Sequence, residues 1–401
     1  MSAETRLKPG WRTCRFDEIA TNVNERVDDP SEAGVEYYVG LEHLDSDSLI
    51  IRRWGSPTDV QAMKLRFRKG DIIFGRRRVY QRKLGVAQFD GICSAHAMVL
   101  RAKPDVVSPE FLPFFMQSDL FMERAKEISV GSLSPTINWP ALAREEFPLP
   151  PIDEQRRLAE ALGASNAAAE TMFHAKEAGE RLRKAFIIGL FRFGVRHERR
   201  RPSPIGEVPD SWEVLPLGDR YQVQLGKMMS DTARNGNDQV PYIRNANVQW
   251  NRLELDDVST MAMSARERKK FSLRPDDILA CEGRHVGKSS LWRDEIPGAT
   301  YQKALHRLRR LTDRDVPEYL LHCLQYYSWT GRFVVETGET TIPHLPAERF
   351  RAMLFPFPPR AEQEEIAIAI RSYDASLQAI NVRIEGTRGL LRHLIRPLEL
   401  R

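Results

Sequence analysis

Residues 145–158 read EEFPLPPIDEQRRL, and residues 353–366 read MLFPFPPRAEQEEI. Phe147-Pro148-x-Pro150-Pro151-x-x-x-Gln155 thus returns as Phe355-Pro356-x-Pro358-Pro359-x-x-x-Gln363, at an offset of 208. The same offset links Pro109-Glu110-Phe111-Leu112 to Pro317-Glu318-Tyr319-Leu320. Further upstream, Gly70-Asp71-Ile72-Ile73 matches Asp276-Asp277-Ile278-Leu279 at an offset of 206. GWRTCRFDEIA and SWEVLPLGDRY place Trp11 against Trp212 at an offset of 201. Matches in one order with a slowly drifting offset describe two copies of one fold whose loops differ in length.

A long helix is expected after each proline pair. Beyond Pro359, apolar or aromatic residues fall at Ile366, Ile370, Tyr373, Leu377, Ile380, Ile384, Leu391 and Leu394, with Thr387 at the skipped position. Steps of four and three residues make a heptad seam. The first copy runs from Asp153 to Phe193, with Leu158, Leu162, Ser165, Ala169 and Met172 on its stripe. Lys176, Gly179 and Arg183 interrupt that stripe before Phe186, Leu190 and Phe193. One seam is small and mixed where the other is bulky, so mutual knob-and-hole packing is expected. The alternative is that each helix folds back onto its own half. A helix of roughly 35–40 residues spans about 50–60 Å, enough for a rigid spacer.

Short β-like runs (Glu36–Leu41, Pro241–Arg244, Asp71–Phe74, Asp277–Ala280) and two short helical segments (Ser108–Met122, Val316–Tyr327) precede the helices. The fold class is therefore α+β, two similar globules with two long helices. The expected divisions are residues 1–151 and 208–359 for the globules and 152–195 and 360–401 for the helices. A charged, proline-rich linker at 196–207 is expected to be exposed.

At 401 residues with 42% hydrophobic and 29% charged, the chain can bury substantial cores. It has no apolar run near the ~20 residues of a membrane span, and its first residues carry no apolar leader core. Cys14, Cys93, Cys281 and Cys323 are far apart, which argues against disulfides and thiolate zinc sites and suits the cytoplasm.

Catalytic motifs are missing. Gly283-Arg-His-Val-Gly287-Lys288-Ser289 is one residue short of a phosphate-binding loop and has Glu282 where its first glycine belongs. Asp276 with Glu282-Gly-Arg284 is spaced too closely for a nuclease carboxylate cluster. No G-x-S-x-G, H-E-x-x-H or Asn-Pro-Pro-aromatic sequence occurs, and the nine histidines share no ligand spacing. No catalytic residue, metal site or bound cofactor is expected.

The net charge of +5, from 60 basic and 55 acidic residues, is focused. Arg66, Arg68, Lys69, Arg76, Arg77, Arg78, Arg82 and Lys83 crowd one stretch. Arg266, Arg268, Lys269, Lys270, Arg274, Arg284, His285 and Lys288 crowd the matching one. Guanidinium forks suit phosphate oxygens or guanine O6 and N7. Arg244, Asn245, Asn247 and Gln249 could pair adenine edges. Two loop-like runs before the helices, with Ser132, Ser134, Thr136 and Asn138 in one and Thr340, Thr341 and His344 in the other, could contact phosphates. A solvated charged face is the alternative for the basic runs, and an ordinary turn or cap residue is the alternative for each of the polar ones.

Two globules, each closed by F-P-x-P-P-x-x-x-Q and a long helix, resemble the specificity subunit of type I restriction-modification enzymes, over nearly the whole chain. The resemblance implies two target-recognition domains on an antiparallel pair of conserved helices with pseudo-twofold symmetry. Each domain would read half of a split double-stranded DNA site. The subunit would be non-catalytic and recruit two modification (methyltransferase) subunits using S-adenosylmethionine, and a restriction (translocase-nuclease) subunit using ATP and Mg. The competing readings are a methyltransferase fused to its own specificity module and a coiled-coil scaffold that binds no DNA.

Overall fold

The computed structural model describes residues 7–337 and 344–395. In it the repeated motif joins a strand to a helix start. Glu146–Leu149 pairs antiparallel with Arg12–Arg15, Phe147 opposite Cys14 and Pro148 opposite Thr13. Leu354–Phe357 pairs likewise with Glu213–Pro216, Phe355 opposite Leu215 and Pro356 opposite Val214. Each is a two-stranded ribbon, where a proline lacking an N–H is tolerated. The aromatic before each proline is buried. The following proline pair leads into the long helices Ile152–Phe193 and Arg360–Ile395, where a missing N–H costs no helical bond.

The motif glutamine ties this junction to the globule. Gln155 Oε1 accepts the Ser108 N–H at 2.9 Å, and Nε2 donates to the Pro150 carbonyl at 2.9 Å. Gln363 accepts the Val316 N–H and donates to the Pro358 carbonyl, also at 2.9 Å each. Both side chains are buried, and their amide groups are satisfied at both ends, as burial demands.

The described residues form two compact units, 7–175 with 380–395 and Lys176–Ala379, so each contains part of both long helices. In the first, strands Ala20–Val23, Ala97–Ala102, Ile72–Gly75 and Leu84–Val86 form an antiparallel sheet in that order. Tyr221–Leu225, Leu305–Arg310, Ile278–Cys281 and Ser289–Leu291 form the same sheet in the second. The duplication extends to single interactions. Asp71 accepts the Arg68 N–H at 2.8 Å and the Arg101 fork at 2.7 and 2.8 Å. Asp277 accepts the Arg274 N–H at 2.8 Å and the Arg309 fork at 2.7 and 2.6 Å. The turn before each carboxylate is left-handed, at Gly70 (φ 91°) and Asp276 (φ 72°). Aspartate is among the few side chains that tolerate that region, which explains how it replaces glycine here.

The long helices serve two kinds of packing. Leu162, with Leu158 partly buried beside it, joins the core of the first unit around Phe74, Phe115, Phe121 and Phe147. These two leucines, expected in the interhelical seam, serve the helix's own globule. Leu190, Ile366 and Ile370 lie with Ile187 and Phe191 in the core that contains Trp212, Tyr319 and Phe355. Within the second unit the helices run antiparallel. Val195 donates to Glu362 at 3.1 Å, Arg183 forks onto Asp374, and a Cβ at Gly179 would stand 2.5 Å from Leu377. Phe186 stacks on Tyr373 with centroids 5.6 Å apart, and the Tyr373 hydroxyl donates to the Gly179 carbonyl at 3.1 Å. Gly179 and Arg183, which interrupt the apolar stripe, are therefore the hole and the polar clamp of the pair. Ile384 is buried, Ile380 is half-buried, and Met172 meets Thr387 within the first unit. The side chains of Leu391 and Leu394 lie outside the described residues.

The linker expected to be an exposed join has no buried residue from 196 to 207 and is folded as a hairpin. Arg200–Arg201 pairs with Val208–Pro209, Arg201 donates to the Trp212 carbonyl at 2.7 Å, and Arg200 lies over the Phe193 ring.

Replacing Gln363 by Ala leaves the Val316 N–H and Pro358 carbonyl buried without their partner. The expected loss is about 1–3 kcal/mol, read from urea unfolding of the full chain. Ser165→Ala, on the half-buried face of the first helix, is expected to change stability by less than about 0.5 kcal/mol.

Candidate nucleic-acid interface

Strand Ile72–Gly75 ends in Arg76-Arg77-Arg78, and strand Ile278–Cys281 ends in Glu282-Gly283-Arg284. Arg78 (φ 55°) and Arg284 (φ 63°) both adopt the left-handed conformation. A side chain there costs on the order of 1 kcal/mol and is held only by its surroundings. The surroundings are again duplicated. Arg77 bridges Thr136 and Gly283 bridges His344. The Ile137 N–H donates to the Arg76 carbonyl at 3.0 Å, and the Leu345 N–H to the Glu282 carbonyl at 2.8 Å. In the first unit the Arg78 N–H also donates to Pro135 at 2.8 Å. The basic run and the hydroxyl-rich run, far apart in sequence, are thus one surface in the first unit, and in the second the arginine loop meets the His344–Leu345 segment in the same way.

In the first unit, neither Arg76 nor Arg78 meets a carboxylate among the described residues, and Arg78 is exposed. Arg77 Nη1 lies 3.1 Å from His96 Nε2. Burial, and then Arg77, Arg76 and Lys64, hold the His96 pKa down. A neutral imidazole can accept from the guanidinium. Arg82 faces inward to its own loop: Nε meets Asp47 at 2.6 Å, Nη1 meets Asp119 at 2.7 Å, and Nη2 meets the Gln117 carbonyl. Lys83 donates to the Leu41 carbonyl at 2.8 Å. These two residues anchor the loop that presents Arg76–Arg78. Ser132 and Asn138 are exposed, Ser134 is half-buried, and the Thr136 hydroxyl donates to the Ser134 carbonyl at 3.1 Å.

In the second unit, Arg284 and His285 are exposed. Asn245 Nδ2 donates to the Gly283 carbonyl at 3.3 Å, and Lys288 donates to Gln249 Oε1 at 3.2 Å, so Asn245, Gln249 and Lys288 lie with the Arg284 loop. Asn247 does not present its amide. It is buried, accepting the Arg244 N–H at 2.9 Å and donating to the Glu254 and Asp257 carbonyls. Arg244 is paired with Asp257 at 2.8 Å. Thr340 and Thr341 lie outside the described residues.

Three features of these surfaces escaped the sequence reading. Glu282 is buried 3.2 Å from His344; burial pushes its carboxyl up, with His344 and Lys303 opposing. His306 is fully buried and donates Nε2–H to the Leu345 carbonyl at 2.8 Å, holding the His344 segment from behind. Tyr80 (57% exposed) and Leu133 (93% exposed) project beside the arginines. Positions 76 and 282 correspond in the repeat, so the duplication flags Glu282 as the acidic counterpart of an arginine. Periodicity carries no signal for a lone exposed leucine. Among the described residues, no acidic, histidine or cysteine group could hold a metal, and no helix is long and apolar enough to cross a membrane.

Comparison with known proteins follows the same division. The family model described as type I restriction modification DNA specificity domain matches residues 59–172 and 209–386. The MjaX protein of Methanocaldococcus jannaschii, named as a candidate type I restriction enzyme specificity subunit, is 26% identical over 220 residues, covering 51% of each chain. The MjaVIII specificity subunit of the same organism is 23% identical over 296 residues, covering 71% of this chain and 68% of its own. The chain thus spans about half of one curated relative and two thirds of the other. Among solved structures, a chain from work on assembly and conformational transition of a type I R-M system superposes with a TM-score of 0.61. It is 22% identical, with 98% of this chain and 97% of that one covered.

Burial holds the His306 pKa at about 4, below the ordinary 6.5. The unfolded chain takes up this proton near pH 6.5 and the folded chain only near pH 4. The stability that depends on a neutral His306 is therefore complete above pH 6.5 and is lost as pH falls toward 4. His306→Gln is expected to flatten the fall of the urea midpoint between pH 6.5 and 4.5, with His322, also held at about 4, supplying the remainder.

Proposed function

The chain belongs to the type I restriction-modification DNA specificity family, and from that premise we propose that it reads a split double-stranded DNA site for a modification-restriction complex. One observation carries the reading. Both units hold a left-handed arginine, Arg78 or Arg284, on a loop hydrogen-bonded to a second loop at equivalent positions. A strained, duplicated presentation of guanidinium groups is what two half-sites of one duplex require. The charge supplies affinity through phosphates and the polar neighbours supply base discrimination. Arg76, Arg77, Arg78, Arg284, His285 and Lys288 are the phosphate or guanine contacts of this proposal, with Asn245, Gln249 and His344 beside them. Ser132, Ser134, Thr136 and Asn138 line the first surface.

The relatives' description as specificity subunits of type I restriction enzymes supports the rest. The chain places two methyltransferase subunits and a translocase-nuclease subunit on the site it reads, in the cytoplasm. Those partners carry the S-adenosylmethionine, ATP and Mg chemistry. Two recognition units on one chain gain effective concentration for the second half-site.

Converting Arg76, Arg77 and Arg78 to Ala is expected to weaken binding to duplexes selected by the wild-type chain from a random pool by at least about tenfold. The slope of log K against log salt falls by ~0.9 for each phosphate that is no longer neutralised. An unchanged slope would place these residues off the backbone. Methyl transfer by the purified chain without a modification subunit would favour the fused-enzyme reading instead.

A further inference from the structure

The first unit carries an apolar projection in the midst of its basic surface. Residues Val130–Thr136 form a tight loop closed by two backbone bonds of 3.0 Å, Val130 N–H to Thr136 O and Thr136 N–H to Val130 O. Leu133 stands at its midpoint, 93% exposed. A large aliphatic side chain held out in water is unfavourable unless something covers it. The loop is also tied at both ends. Gly131 (φ 115°) makes its entry turn, Pro135 stiffens its exit, and the Arg78 N–H and Arg76 carbonyl fasten that exit at 2.8 and 3.0 Å.

What covers Leu133 follows from its setting. The loop is fastened to the backbone of three consecutive arginines, Arg76–Arg78, and no carboxylate among the described residues meets Arg76 or Arg78, so the charge beside it is positive. An apolar protein groove would have to accept that charge unpaired, whereas a duplex supplies both phosphates and an apolar interior between its base pairs. Proteins that kink DNA insert leucine or a similar wedge between stacked bases and hold the backbone with basic side chains on either side.

We propose that Leu133 is a wedge that enters a base step of the half-site read by the first unit, unstacking it while Arg76–Arg78 hold the flanking phosphates. The proposal rests on the DNA-reading function above. It gives that surface a second source of specificity: steps that unstack easily, such as pyrimidine–purine steps, are favoured without a hydrogen bond to either base.

The test uses the full chain and a duplex that the wild type selects from a random-sequence pool. 2-Aminopurine or pyrrolocytosine is placed in turn at each base pair. Wild type and Leu133→Met are expected to raise the fluorescence several-fold at a single step. Leu133→Ser is expected to abolish the rise and to weaken binding roughly tenfold. It leaves the salt slope unchanged, because the arginines still neutralise the same phosphates. A rise that persists in Leu133→Ser, or that is missing from a tightly bound wild type, overturns the wedge and leaves DNA reading intact. A wild-type chain that selects no duplex removes both.

Discussion

The hydrogen bonds of one buried glutamine, made twice, hold the architecture together. Gln155 and Gln363 each join the carbonyl of the proline that ends a strand to the N–H that opens a helical segment nearly fifty residues upstream. A glutamine side chain can accept and donate at once, which neither glutamate nor leucine can do in the same volume. The junction it closes sets the direction in which each long helix leaves its ribbon. Leu162 and Ile366, each within two turns of that junction, pack into the cores.

The recognition loops use the opposite device. Their arginines are held in an uncommon backbone region by bonds from a second loop, and Arg82 and Lys83 are consumed in anchoring. Charge count alone cannot separate these roles. Arg78 and Arg82 are four residues apart, yet one side chain faces solvent and the other meets two aspartates. The difference lies in which neighbours the fold brings up, Asp47 and Asp119, both distant in sequence. The same holds in the second unit, where Asn247 closes its own turn while Asn245 reaches the arginine loop.

Much of the fold was legible because duplication tests itself. The Phe-Pro-x-Pro-Pro-x-x-x-Gln pair and the Gly70-Asp71 and Asp276-Asp277 turns each found a matching structural role. The seam of the first helix was harder to read. Its leucines near the start serve the first globule, and its apparent interruptions at Gly179 and Arg183 are where the partner helix packs. A hydrophobic stripe records burial without saying against what, so periodicity could not distribute Leu158 and Leu162 to one surface and Leu190 to another. The linker is as exposed as its composition implied, but its pairing was not legible. Its charge and prolines are compatible with exposure, but Arg200 and Arg201 find a strand and a carbonyl once Trp212 is in place.

The sequence by itself determined the duplication, the α+β content, the two long helices and the placement of basic residues in corresponding loops. These depend on local pattern and on comparison of one half with the other. Only the tertiary structure decided that the basic loop and the hydroxyl loop of the first half are one surface, that the second arginine loop meets the His344–Leu345 segment, and which arginines are presented there. It also decided that Leu133 stands uncovered beside them. Such facts arise from backbone bonds between segments about sixty residues apart, Arg76 to Ile137 and Glu282 to Leu345. No property of either segment alone specifies that pairing; it exists because the sheet and the glutamine-locked junction bring both ends to the same place.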